Sequence, residues 1–166
     1  SSPTRWAELL NEMYRDPVIR QGCQFWLFIY SSGGPILAPA ADLREALATA
    51  TAKFDPEGTD AALRDMVVVG HSQGGLLTRL LVTSSGDRFW RNFSPEKSFD
   101  EVTFEPAASQ AMRRILFFEP LSSVKRVVFV CTPHRGSFLA EGVVGWLGRK
   151  FASIPGKMMD LGTSLT

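Results

Sequence analysis

Residues 66–82, MVVVGHSQGGLLTRLLV, leave a chain few ways to fold. Met66 to Val69 are apolar without alternation, which predicts a strand buried on both faces. From Leu76 the apolar residues fall at helical spacing up to Val82. Between the two lies Gly70-His71-Ser72-Gln73-Gly74-Gly75. A strand that turns straight into a helix crowds its own backbone. Gly70 and Gly74, two residues before and after Ser72, relieve that crowding, and Gly75 lets the helix approach the neighbouring strand. A serine on such a turn stands proud of the sheet, and the free N–H groups and positive end of the helix point at it. The pattern and its context are those of the Gly-x-Ser-x-Gly nucleophile elbow.

Ser72 is therefore the candidate nucleophile, and the backbone N–H of Gln73 the candidate donor to an oxyanion. Gly70 to Gly75 fits neither GxGxxG nor GxxxxGK, so a nucleotide loop is not indicated. His71 is adjacent to Ser72, but neighbouring side chains on such a turn diverge, which makes it a packing residue rather than the base. His134 follows a strand at the end where active sites of parallel sheets gather. It is a weak candidate base, set against a loop histidine that steadies its turn.

The rest of the chain alternates helices with apolar strands. Trp6, Leu9, Leu10 and Met13 predict a helix that Asp16-Pro17 ends. Phe25 to Tyr30 is a continuous apolar run that reads as a strand buried on both faces. In residues 41–55, Leu43, Ala46, Leu47, Ala50 and Phe54 lie on one helical face. Val127 to Val130 is a third buried strand, followed by CTPHRGS, and residues 139–166 alternate glycines with short apolar stretches. The fold class is α/β, with a mostly parallel sheet covered by helices on both faces.

At these residues the chain resembles the α/β-hydrolase superfamily, in particular bacterial lipases and esterases. VVVGHSQGG looks like the family's elbow after its fifth strand. VVFVCTPHRGS looks like its sixth strand and the turn that follows. FWLFIYSSGG matches the fourth strand, and Trp6 to Tyr14 the helix after the third. The resemblance implies an acyl-enzyme on Ser72 and a carboxylic ester substrate, lipid-like or otherwise hydrophobic in its acyl part. It implies no cofactor.

The family's chain order is serine, acid, histidine. Here His134 comes too early for the family's base, no later strand carries an acid, and the third strand with its oxyanion loop is absent. The expectation is thus a piece of a larger hydrolase, incomplete at both ends, whose base lies outside residues 1–166. The alternative is a non-catalytic binding or scaffold module that keeps the elbow for its fold. The first residue is Ser1, and no signal peptide is visible in this segment. Compartment and oligomeric state carry no sequence signal.

Between elbow helix and next strand lies an unusually long connection, residues 88–123, rich in phenylalanine. It reads either as a lid over the acyl pocket, contacting substrate through Phe93, Phe99, Phe117 and Phe118, or as an insertion that these rings anchor to the core. The formal net charge of +1 gives no electrostatic case for nucleic acid or an acidic membrane. Arg113-Arg114 and Lys125-Arg126 read as solvated faces. No apolar run approaches the ~20 residues of a membrane span. With only His71 and His134 and no HExxH, no metal site is expected. Cys23 and Cys131 have no CxxC spacing and lie at the ends of different strands, so both should be free thiols.

Overall fold

The computed structural model describes residues 4–134 apart from Gly33. The tail 139–166, and Arg135 to Ser137 of the CTPHRGS stretch, lie outside the described residues. The chain is mixed α/β and divides into two units, Ser1–Ser31 and Ser32–Thr166.

In the first unit, α1 spans Thr4–Arg15, as the spacing of its apolar residues predicts. Asp16-Pro17 ends it and also starts a second short helix, α2, Pro17–Gly22. The Asp16 carboxylate accepts the N–H groups of Val18 and Ile19, and Pro17 supplies a preset first helical φ. The expected strand Phe25 to Tyr30 is absent: the segment has no regular structure, and Leu27 and Ile29 are 50% and 73% exposed. An apolar run becomes a strand only where another strand takes its backbone hydrogen bonds, and this run has no ladder partner among the described residues. Its aromatics find local contacts instead. Phe25 meets Tyr14 edge-on at 5.0 Å, and Phe28 stacks on Tyr30 at 5.8 Å.

The second unit holds α3 (Leu37–Phe54), α4 (Ala61–Arg64), β1 (Met66–His71), α5 (Gln73–Leu81), α6 (Arg88–Arg91), a 3-10 turn at Phe99–Glu101, α7 (Pro106–Leu116) and β2 (Val124–Val130). Strands β1 and β2 pair in parallel, with Val68 opposite Val127 and His71 opposite Val130. Helix α5 packs on both strands and on α3, and α3 packs on α7. Among the described residues of the second unit, α5 covers one face of the sheet. A side chain at Gly70 would run into Gly74, Gly75 and Thr78 of α5, so Gly70 and its same-face neighbour Val68 look toward the helix. Val67, Val69 and Val128 look the other way and are 52%, 42% and 45% exposed. That face has no covering element among the described residues, which is why the fully buried valines expected from sequence are half open. No helix among the described residues is long and apolar enough to cross a membrane.

Helix α3 buries a face rotated from the one its apolar residues suggest. Leu37, Ala40, Ala41, Leu43 and Arg44 are inside, whereas Phe54 is 62% exposed. Arg44 is the cause. Its Nη2 donates to the Arg114 carbonyl at 3.2 Å in the last turn of α7, and its guanidinium lies 3.8 Å over the Phe118 ring. Burial, with Arg114 nearby, lowers its pKa to about 10. On the surface beside it Arg114 pairs with Asp42 and Glu45.

After α3 the chain turns on Asp55, whose carboxylate accepts the N–H groups of Thr59 at 2.7 Å and Asp60 at 3.0 Å. Burial acts to raise this carboxyl, but the two backbone donors outweigh it and hold it below its ordinary value. The stabilisation is fully present above the unfolded carboxylate pKa, about 4, and fades as pH falls through the lower folded value. Urea midpoints measured from pH 6 downward should therefore drop more steeply in the native chain than in Asp55→Asn, which keeps the shape but cannot titrate.

Candidate functional site

The sequence places Ser72 between β1 and α5, and the structure puts strain there. Ser72 has φ 53° and ψ −123°, a region that side chains rarely occupy. Such a backbone costs about 1–3 kcal/mol and persists only where its surroundings fix it. Three contacts do so. The Ser72 N–H donates to the Val130 carbonyl at 2.8 Å, which extends the β1–β2 ladder by one residue. The Ser72 carbonyl accepts the Gly75 N–H at 3.1 Å, closing a tight first turn. Thr78 Oγ1 donates to the Gly74 carbonyl at 3.0 Å, which holds the start of the helix together.

Glycine is required at two places. A Cβ on Gly70 would lie 2.5 Å from the Gly75 Cα and 2.6 Å from the Gly74 oxygen. A Cβ on Gly75 would lie 1.8 Å from Thr132 Oγ1, so this glycine lets α5 touch the chain just beyond β2. Ser72 is exposed and occupies the cap position of α5, yet its hydroxyl caps none of the helix's N–H groups. Gln73 is the first residue of α5, where a helix has no carbonyl one turn earlier to receive the N–H. An exposed hydroxyl thus stands at the positive end of a helix, an arrangement suited to attack on a carbonyl.

His134 lies at the same end of the sheet. Its N–H donates to the Thr132 carbonyl at 2.9 Å, and its ring meets Phe129 edge-on at 4.6 Å. These contacts are those of a histidine that steadies its turn. His71 ends β1 opposite Val130 and is half-buried.

The aromatic insertion forms its own core. Its base is zipped: Leu121 N donates to Leu81 O at 2.8 Å, Ser84 Oγ to Glu119 Oε1 at 2.8 Å, and Ser85 N to Phe118 O at 2.9 Å. Ser85 Oγ also accepts the Phe118 N–H at 2.8 Å. Within this loop the buried Trp90 donates its indole N–H to the Lys97 carbonyl at 2.8 Å and meets Phe99 and Phe104 edge-on. Phe99 is 5% exposed and packs on Phe117 at 5.2 Å, while Phe118 faces Phe89 and Arg44. Phe93 is half-buried, its N–H bonded to the Trp90 carbonyl. A cleft of about 430 Å³ is bordered by Trp90, Lys97, Phe99, Arg113 and Phe117 and includes no residue of the elbow. Among the described residues, the aromatic and cation contacts of Phe99, Phe117 and Phe118 are with residues of the insertion and with Arg44 of α3. Replacing Ser85 with alanine leaves the Phe118 N–H without its acceptor and should lower stability by about 1–3 kcal/mol, read from urea unfolding.

Two residues of the site escape the motif. Thr132, whose Oγ1 is buried without a partner, abuts Gly75. Cys131 follows Val130, whose carbonyl accepts the Ser72 N–H, and shares the unusual backbone of Ser72, with φ 50°. Only the strand register, which sequence does not carry, brings them to the elbow. Both cysteines are free and exposed. Among the described residues no group of three His, Cys, Asp or Glu is placed to hold a metal ion. The chain matches no family model, no curated protein and no solved structure.

Proposed function

We propose that the chain is a serine hydrolase of α/β-hydrolase type that cleaves carboxylic esters with hydrophobic acyl groups. The observation that carries this reading is the strained, exposed Ser72 at the mouth of α5, held there by glycines at positions 70 and 75. Strain at a non-glycine residue is retained where function needs the side chain in that place.

In the proposed reaction Ser72 Oγ attacks the acyl carbonyl carbon and gives its proton to a histidine. The carbonyl electron pair moves onto oxygen, and the Gln73 N–H steadies the charge. The tetrahedral centre then collapses, the C–O bond to the alcohol breaks, and the alcohol leaves with the histidine's proton. Water repeats the sequence on the acyl-enzyme and releases the acid. The proton acceptor in this reading is a histidine outside residues 1–166, with His134 the weak candidate within them.

Hydrolysis of p-nitrophenyl esters by the full-length protein tests this. An initial burst of p-nitrophenol, absent in Ser72→Ala, is expected. Equal rates in the native chain and Ser72→Ala would leave the elbow as an element of the fold alone, the binding-module alternative.

A further inference from the structure

We propose that Thr78 is a positioning residue of the Ser72 site, its buried hydroxyl bracing the two glycines that flank the nucleophile. The inference rests on Ser72 as the nucleophile and adds a group that touches no substrate but fixes where Ser72 stands.

Thr78 lies in the second turn of α5, among the helix's buried residues, with Leu77 and Leu81. It is 2% exposed, too little for a substrate to touch. On helical grounds threonine is a poor residue there. Its branched side chain loses freedom against the preceding turn, and a hydroxyl that bonds back to the carbonyl four residues earlier tends to bend a helix. A core position also favours an apolar group, so the hydroxyl needs another reason.

The surroundings of Oγ1 supply one. It donates to the Gly74 carbonyl at 3.0 Å. It also lies 2.4 Å from where a Cβ on Gly70 would stand, and so fills the notch left by the missing side chain. Gly70 is two residues before Ser72 and Gly74 two residues after it. One oxygen thus sits against both ends of the turn, one on the strand and one on the helix. With both ends held, the peptides between them have little freedom. Those peptides set the Ser72 backbone at φ 53°, ψ −123° and the direction of the Gln73 N–H. Without the oxygen the notch is empty and the elbow can rock. With a methyl in its place the notch is overfilled, and α5 must tilt away from β1.

Three variants of the full-length protein separate the hydroxyl from the rest of the side chain. Thr78→Ser keeps the oxygen and loses the methyl. Thr78→Ala loses both, and Thr78→Val exchanges the oxygen for carbon. Rates are taken where circular dichroism shows each variant folded. With p-nitrophenyl butyrate, Thr78→Ser should keep kcat within about threefold of native, whereas Thr78→Ala and Thr78→Val should fall roughly 10-fold or more. KM should stay within about threefold in all three, because the residue is out of a substrate's reach. Phosphonylation by a fluorophosphonate, in which a bond forms from Ser72 oxygen to phosphorus while fluoride and the hydroxyl proton leave, should slow in the same two variants. Should Thr78→Val fail to fold, the serine and alanine variants decide alone, since they differ by the hydroxyl only.

Equal kcat in Thr78→Ser and Thr78→Ala, or a loss confined to KM, overturns the brace and leaves Ser72 as the nucleophile. A native protein without ester hydrolysis, or with hydrolysis that persists in Ser72→Ala, overturns the nucleophile assignment, and the brace with it.

Discussion

Gly75→Ala should destabilise the chain by about 3 kcal/mol and cut ester hydrolysis roughly 100-fold in whatever fraction stays folded. The added methyl would sit 1.8 Å from Thr132 Oγ1 and 2.7 Å from both Thr132 Cβ and Cγ2. The first of these is a polar atom on a short, stiff, β-branched side chain, and the second is bonded directly to backbone. Neither can swing aside. The remaining response is for α5 to lift from the end of β2, which strains the Ser72–Val130 hydrogen bond and moves Ser72. If this contact is the cause, Thr132→Gly should restore much of the loss in the double variant. The interaction energy in a double-mutant cycle of urea midpoints should be about 2 kcal/mol. An additive cycle would place the requirement for glycine elsewhere.

Ser72 should separate stability from activity. Ser72→Ala is expected to lower ester hydrolysis by about 10⁴-fold or more, the scale on which loss of a nucleophile acts. Ser72→Gly is expected to be equally inactive yet more stable than the native chain. Glycine adopts φ 53°, ψ −123° without a side-chain clash. Relief of about 1–3 kcal/mol of strain exceeds the roughly 0.5–1 kcal/mol that glycine's freer unfolded chain costs. A net gain of about 1 kcal/mol, measured by urea unfolding, would mark a backbone held in an unfavourable state for the sake of its side chain. A Ser72→Gly chain less stable than the native one would mean that the hydroxyl itself contributes to folding.

The parts of this architecture that depend on near neighbours were legible in the sequence. The elbow is written as glycine spacing within a few residues, and α1 as apolar periodicity. Features that depend on distant partners were not. Phe25 to Tyr30 has the composition of a buried strand, but strand formation belongs to a pair of segments, and no pair exists for it among the described residues. The buried face of α3 includes Arg44, a charged residue that apolar spacing does not place inside. Its place depends on the Arg114 carbonyl and the Phe118 ring, seventy or so positions away. Asp16-Pro17 held a signal that served twice, as a stop for α1 and as cap and first residue of α2. At the site itself, Ser72 and Gln73 could be named from the motif, whereas Cys131 and Thr132 required the register of β2 against β1. For the phenylalanines of the insertion, sequence offers both substrate contact and anchoring, because the packing of Phe99 on Trp90, Phe104 and Phe117 depends on how the loop folds back on itself.

Incubation with a fluorophosphonate, followed by intact mass and peptide mapping, asks whether Ser72 is a reactive nucleophile. The serine oxygen should displace fluoride from phosphorus, adding one phosphonyl group to the peptide that contains Ser72, and Ser72→Ala should remain unmodified. An unmodified native chain, or an adduct that persists in Ser72→Ala, would contradict the assignment.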